Sequence, residues 1–121
     1  MIEIRVRQDD GFSIDIKGHA GYKPGNDIVC SAASILTQTL AQKLWEMEAE
    51  GKLVRLSMNV APIRPGDFNA EAVPKKQYAE MLEHITDTIL TGFQMLYLSF
   101  PNNFTYLNSE PKRRYVPPDT T

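Results

Sequence analysis

The spacing of apolar residues changes along the chain, and these changes limit the folds it can form. Apolar and polar residues alternate up to about residue 17, which is typical of half-buried strands, and apolar residues then recur every three or four positions from 28 to about 48, as in a helix. The same order follows between residues 53 and 99, and residues 104–107 form a possible short last strand. The order ββαββα plus this strand predicts a two-layer α+β fold, with two helices on one face of a mainly antiparallel sheet.

The first two strands are predicted to form a hairpin. Their apolar residues are Ile2, Ile4, Val6, Phe12, Ile14 and Ile16, with a turn at residues 8–11. Continued alternation would place His19 with Asp15 and Lys17, on the face away from the core. Gly18 can break the alternation because glycine adopts backbone angles closed to other residues. The sequence alone leaves both placements of His19 open.

The remaining elements follow from the same patterns. The third strand is predicted at residues 53–60, where Val54, Leu56, Met58 and Val60 alternate with Leu53, Arg55, Ser57 and Asn59. A fourth, weaker strand runs from Phe68 to Ala72 and is ended by Pro74. The predicted helices carry the apolar stripes Val29, Ala33, Leu36, Leu40, Leu44 and Met47, and Tyr78, Leu82, Ile85, Ile89, Phe93 and Leu96.

The size and composition indicate a single globular domain. The 121 residues are 42% hydrophobic and 23% charged, which suits a chain that buries one core. We expect this domain to cover residues 1–109. Residues 110–121 contain three prolines and the run Lys112-Arg113-Arg114, and they are expected to form a flexible tail.

Charge and cysteine content exclude several classes of function. A formal net charge of −2 gives no reason to expect nucleic-acid binding. No apolar run approaches the roughly 20 residues of a membrane span. The pattern directly after Met1 is that of a strand rather than of a signal peptide, so neither a membrane span nor a signal peptide is expected. The single cysteine cannot form an internal disulfide, so a reducing cytoplasm is the expected setting.

That cysteine, Cys30, lies in a pattern that can carry chemistry. Asp27 directly precedes the helical pattern that begins at residue 28, and we interpret it as the helix N-cap. This places Cys30 at the third helical position. Free backbone N–H groups and the helix dipole favour a thiolate there. His19, beyond a loop rich in glycine, could take the thiol proton and return it to a leaving amine. Ser34, one turn after Cys30, could reach the sulfur.

Each of these residues also has a structural interpretation. A lone cysteine is commonly a small buried apolar residue, and a lone histidine is commonly a surface or capping residue. Asp27 could act only as a cap, and Ser34 could bond only to a helix carbonyl. Two ligands, Cys30 and His19, are too few for a structural zinc, so neither a metal nor a cofactor is expected.

The stretch from Gly18 to Ser34 resembles the signature of the ribosomal-processing cysteine protease family, Prp. The catalytic His and Cys of the motif fall on His19 and Cys30, and its glycine, aspartate and serine fall on Gly18, Asp27 and Ser34. The resemblance implies a His-Cys dyad that removes an N-terminal extension, an extended hydrophobic and aromatic peptide, from large-subunit ribosomal protein twenty-seven. It also implies the same two-layer architecture and a homodimer.

Two other functions are compatible with the sequence. The segment 61–66 and the tail after Glu110 differ from the compact family pattern, as they would in a phage relative that processes a capsid or scaffold protein. The fold could also serve as a peptide-binding or assembly module with an inert thiol. The reactivity of Cys30 separates an enzyme from such a module.

Overall fold

The computed structural model describes residues 2–8, 11–18, 28–59 and 67–108. The tail expected at 110–121 therefore lies outside the described residues, as does the segment 61–66. The strands are β1 Ile2–Arg7, β2 Phe12–Gly18, β3 Leu53–Met58, β4 Asp67–Pro74 and β5 Phe104–Asn108, and the helices are α1 Ile28–Ala49 and α2 Ala79–Ser99. A single 3₁₀ turn, Lys76–Tyr78, precedes α2. This order confirms the predicted ββαββα succession and the last strand.

The five strands form one sheet in the order β3-β4-β2-β1-β5. Neighbouring strands are antiparallel except β1 and β5, which run parallel. The register aligns Ile4 with Ile16 and Ile16 with Phe68, so apolar side chains form continuous rows across one face. All three are buried, and both helices pack on this face, which confirms the two-layer α+β prediction.

The two helices approach each other closely at a glycine of α2. A Cβ on Gly92 of α2 would lie only 2.7 Å from Cδ2 of Leu36 on α1, so glycine permits the contact. The predicted stripe of α1 is buried apart from Leu36, which is partly exposed. In α2, Thr86 and Leu90 are also buried although the predicted stripe did not include them. The hydroxyl of Thr86 donates to the Leu82 carbonyl at 2.8 Å, which satisfies it inside the core.

The third strand departs from simple alternation. A bulge between Leu53 and Arg55 shifts the pairing with β4. Leu53 is consequently buried, whereas Val54 is 66% exposed. The predicted grouping of Val54 with Leu56 and Met58 on one face is therefore wrong at its first position, because the inserted residue reverses the order of the side chains.

A Schellman motif ends α1 and determines where the chain goes next. Gly51 N–H donates to the Glu48 carbonyl at 3.0 Å, and Lys52 N–H donates to the Met47 carbonyl at 2.9 Å. Gly51 has a φ of +72°, in the left-handed region. The chain therefore reverses within three residues and enters β3 directly, so α1 and β3 run in opposite directions.

The replacement Gly51→Ala tests this stop. A Cβ there would meet only Lys75 Nζ, at 3.8 Å, so the cost is conformational rather than steric. We expect the free energy of unfolding, measured in urea, to fall by about 1–2 kcal/mol. Gly51→Asn is the matched control and should cost less, because asparagine tolerates left-handed angles. Equal stability of Gly51→Ala and the wild type would contradict this account of the helix end.

Candidate active site

Cys30 is the third residue of α1, as the sequence predicts from the position of its N-cap. Its side chain is partly buried and packs against the hydrophobic core, and its thiol forms no disulfide. Backbone N–H groups in the first turn of a helix have no partner within the helix. In a helix of 22 residues they also form the positive end of the dipole, so a thiolate at this position is stabilised.

The first two thirds of α1 carry no charge that could oppose this effect. Residues 28–42 contain no Asp, Glu, Lys or Arg, and the first turn has no acidic side chain. The first ion pair on the helix joins Lys43 Nζ to Glu46 Oε1 at 3.1 Å, near the other end. There the Gln42 amide and Lys43 lower the pKa of Glu46 below its ordinary value. Charged side chains on this helix are therefore kept away from Cys30.

The sheet topology brings the end of β2 to the same end of the molecule as Cys30. Strands β2 and β3 run in the same direction, because each is antiparallel to β4. Since α1 runs opposite to β3, it also runs opposite to β2. A helix of 22 residues spans about 33 Å, enough to return along the full sheet. The first turn of α1 therefore lies at the end of the sheet where β2 finishes at Gly18.

Gly18 ends β2 with a backbone that other residues rarely adopt. It still pairs with Ile2 across the sheet, but its φ is +97°. The regular backbone of β2 is interrupted at Gly18 itself, so the alternation no longer argues that His19 lies away from the core. His19 and Asp27, the two other polar groups of the predicted site, lie outside the described residues.

The hydroxyl of Ser34 accepts a hydrogen bond from a side chain one turn further along α1. Gln38 donates from Nε2 to Ser34 Oγ at 3.0 Å. Sequence reasoning placed Ser34 near the sulfur but did not include Gln38. Its spacing of four residues from Ser34 is the signal that could have found it. The amide orients the hydroxyl one turn from Cys30.

Other polar groups described by the structure offer no competing site. His84 is exposed on α2, with Nε2 3.5 Å from Oε1 of Glu80. On the polar face of the sheet are two open depressions of about 370 and 450 Å³, and neither has a cysteine or histidine in its lining. Within the described ranges, no three metal-ligating side chains cluster together.

Residues 1–105 match the model of a protein family described as cysteine protease Prp. The chain belongs to this family. It is therefore a cysteine protease, of α+β fold. No curated protein matches the chain.

Solved structures of Prp, and of a further protein from another bacterium, have the same fold. The ribosomal processing protease Prp from S. aureus, in complex with a covalently linked product peptide, is 21% identical with a TM-score of 0.70, over 90% of this chain and 100% of that one. The structure of the same protease with a substrate peptide is 20% identical in sequence with a TM-score of 0.66, again over 90% of this chain and 100% of that one. SMU.848 from Streptococcus mutans is 24% identical in sequence with a TM-score of 0.63, over 89% of this chain and 93% of that one.

The helices of the structure give no sign of a membrane span. Neither α1 nor α2 combines the length and the apolar character that crossing a bilayer requires, within the residues that are described.

The replacement Gly18→Ala tests how the chain leaves β2. Alanine at a φ of +97° is strained by about 1–3 kcal/mol, and relief of the strain would redirect the chain at His19. We expect kcat/KM for a peptide substrate to fall by at least about tenfold, while the protein still folds. Lys17→Ala is the matched control, because the Lys17 side chain is 66% exposed and its 3.7 Å pair with Asp15 contributes little. A Gly18→Ala enzyme as active as Lys17→Ala would refute the backbone requirement.

Proposed function

We propose that this Prp-family protease uses Cys30 as nucleophile and His19 as general base and acid, and that it removes the N-terminal extension of large-subunit ribosomal protein twenty-seven. The observation that carries the proposal is the position of Cys30. It is the only cysteine of a cysteine protease, and it lies in the first turn of a long helix. The S. aureus relative is described as a ribosomal processing protease bound to a substrate peptide, which supports the choice of substrate.

The reaction proceeds in two steps. The thiolate of Cys30 attacks the scissile carbonyl, and the negative charge that develops on the carbonyl oxygen is stabilised by first-turn N–H groups, including that of Cys30. Removing one such donor typically costs about 10²–10³ in rate. His19, protonated by the thiol, gives that proton to the leaving amine as the C–N bond breaks. Water, deprotonated by His19, then hydrolyses the thioester and regenerates the thiol.

The supporting residues hold these two groups in place. Gly18 directs the chain from β2 into His19, and Asp27 caps the helix that carries Cys30. Ser34, held by Gln38, supplies a hydroxyl one turn from the sulfur. We further propose that the protein acts in the cytoplasm, where its thiol stays reduced, and that it acts as a homodimer without metal or cofactor.

The dyad is tested with Cys30→Ser and His19→Ala. Serine is similar in size to cysteine but is not ionised near neutral pH, and alanine removes the base. Neither change removes a large core side chain, so both variants should fold. We expect each to lose nearly all cleavage of a peptide that copies the ribosomal protein's extension, measured by mass spectrometry, while Cys30→Ser still binds the peptide.

Asp27→Asn provides a matched third variant. Asparagine caps a helix about as well as aspartate, so the change is mild if Asp27 only caps, and severe if its charge also orients His19. Cleavage by Cys30→Ser at the wild-type rate would contradict the assignment of the nucleophile. An active wild type that cleaves a phage capsid or scaffold protein but not the ribosomal peptide would leave the dyad intact and refute the substrate.

A further inference from the structure

One side of α1, called its flank below, extends from Cys30 to Trp45. Residues on it recur every three or four positions and therefore share one side of the helix. They are Cys30, Ser34, Gln38, Ala41 and Trp45. The 3.0 Å bond from Gln38 to Ser34 runs along this flank. None of the five carries a charge.

This flank faces away from the second helix. Leu36, on the opposite side of α1, is the residue that approaches Gly92 of α2. Within the helical layer α1 contacts β3 and α2 contacts β5, and these two strands are the opposite edges of the sheet. The flank with Cys30 therefore lies on the side of α1 nearer to the outer edge of β3.

The outer edge of β3 presents backbone groups that have no partner strand among the described residues. Asn59 N–H donates to the Asn69 carbonyl at 3.2 Å, so Asn59 and Ser57 direct their backbone groups towards β4. The backbone N–H and C=O groups of Leu56 and Met58, which alternate with these, point outwards. An edge of this kind can accept an additional strand.

The core-facing side chains of β3 become less buried from the start of the strand to its end. Leu53, near the end of α1, is buried, whereas Leu56 and Met58 are partly exposed although they pack against the core. Met58 lies at the end of β3 that is directed towards the same end of the sheet as the start of α1. We use the term groove for the strip of surface between this flank of α1 and the edge of β3, where Leu56 and Met58 are partly exposed.

We propose that this groove holds the substrate as an extended strand paired with the edge of β3, and that Trp45 contacts an apolar substrate side chain remote from the scissile bond. The inference rests on the proposed role of Cys30. Cys30 and Trp45 are fifteen positions apart on the helix, a distance of about 22 Å, which an extended peptide spans with roughly seven residues.

The occupant is a peptide substrate because the groove begins at the nucleophile and suits such a chain. The outward backbone groups supply pairing without sequence preference, while partly exposed apolar side chains and a tryptophan supply specificity. Trp45 is 58% exposed, a large aromatic surface beside an uncharged flank. The bulge leaves only the short run from Leu56 to Met58 as regular edge, which suits a peptide better than a long ladder between two copies.

The chain carries its own reporter for this groove, because Trp45 is its only tryptophan. The Cys30→Ser protein is titrated with a tryptophan-free peptide that copies the extension of the ribosomal protein. We expect a saturable shift of Trp45 emission to shorter wavelength as the indole leaves water. An emission spectrum that stays constant while calorimetry shows binding would overturn the proposal.

Kinetics test the same contact without relying on fluorescence. In Trp45→Ala we expect KM to rise by about tenfold and kcat to stay within about twofold, because the contact is remote from the chemistry. Met95→Ala, which trims an apolar residue on α2 that is 41% exposed, is the matched control and should leave both constants unchanged. An unchanged KM in Trp45→Ala would refute the contact.

Pairing with β3 is tested from the substrate side. Methylation of one peptide N–H at a time should weaken binding at every second residue, where the N–H points to β3, and should have little effect between. Uniform effects along the peptide would exclude strand pairing.

The outcomes separate this inference from the function on which it rests. Cleavage by Cys30→Ser at the wild-type rate would refute the proposed nucleophile and this inference together. Normal cleavage by the wild type with unchanged Trp45 emission would refute the groove alone. Emission that shifts with protein concentration, while light scattering shows a rise in mass without peptide, would assign the edge of β3 to a second copy and overturn the proposal.

Discussion

The position of Cys30 depends on how α1 is connected at its other end. The Schellman motif at Gly51 stops the helix and passes the chain into β3 within three residues. Lys75 N–H then donates to the Lys52 carbonyl at 3.0 Å, which ties the end of β4 to the same corner. The direction of α1 relative to the sheet is thereby determined, and the first turn of the helix must lie at the end where β2 finishes. A helix that ended differently would not place Cys30 at the end of the sheet where β2 finishes.

The same end of the sheet collects the backbone features that chemistry needs. The backbone N–H groups of the first turn, which have no partner within the helix, belong to the same turn as the thiol. Gly18 provides a positive φ immediately before His19. Asn59 bridges the start of β4, since its Nδ2 donates to the Asp67 carbonyl at 2.8 Å and its Oδ1 accepts from Asn69 N–H at 3.0 Å. At the other end of α1 and at the start of β3, the side chains of Leu44, Met47 and Leu53 are buried in the core.

The elements of this fold could be predicted because each rests on a local pattern. Alternation in β1 and β2 and the apolar stripe of α1 depend on residues near one another in sequence, and the structure confirms them. The bulge in β3 could not be predicted, because it depends on how Leu53 and Arg55 align with β4, a partner that is distant in sequence. The burial of Thr86 and Leu90 was likewise missed, because both lie outside the stripe that the apolar spacing predicts for α2.

The site could be predicted in part. The third position of Cys30 in α1 was readable from the pattern that begins at residue 28. Gln38 was missed because no motif names it, although its spacing from Ser34 was available. The placement of His19 was left open by the alternation of β2, and the φ of Gly18 removes the reason to place it away from the core. The pairing of His19 with Cys30 stays a prediction.

Catalysis by this protein depends, in our proposal, on the first turn of α1 stabilising Cys30 as a thiolate. The most direct measurement is the rate of Cys30 alkylation by iodoacetamide as a function of pH, with the denatured protein as control. Since stabilisation of the charged form lowers the pKa of a thiol, we expect the midpoint for the folded protein to lie below the ordinary cysteine value of about 8.5, and the denatured protein to return to it. A folded protein with its midpoint at or above about 8.5 would contradict the account.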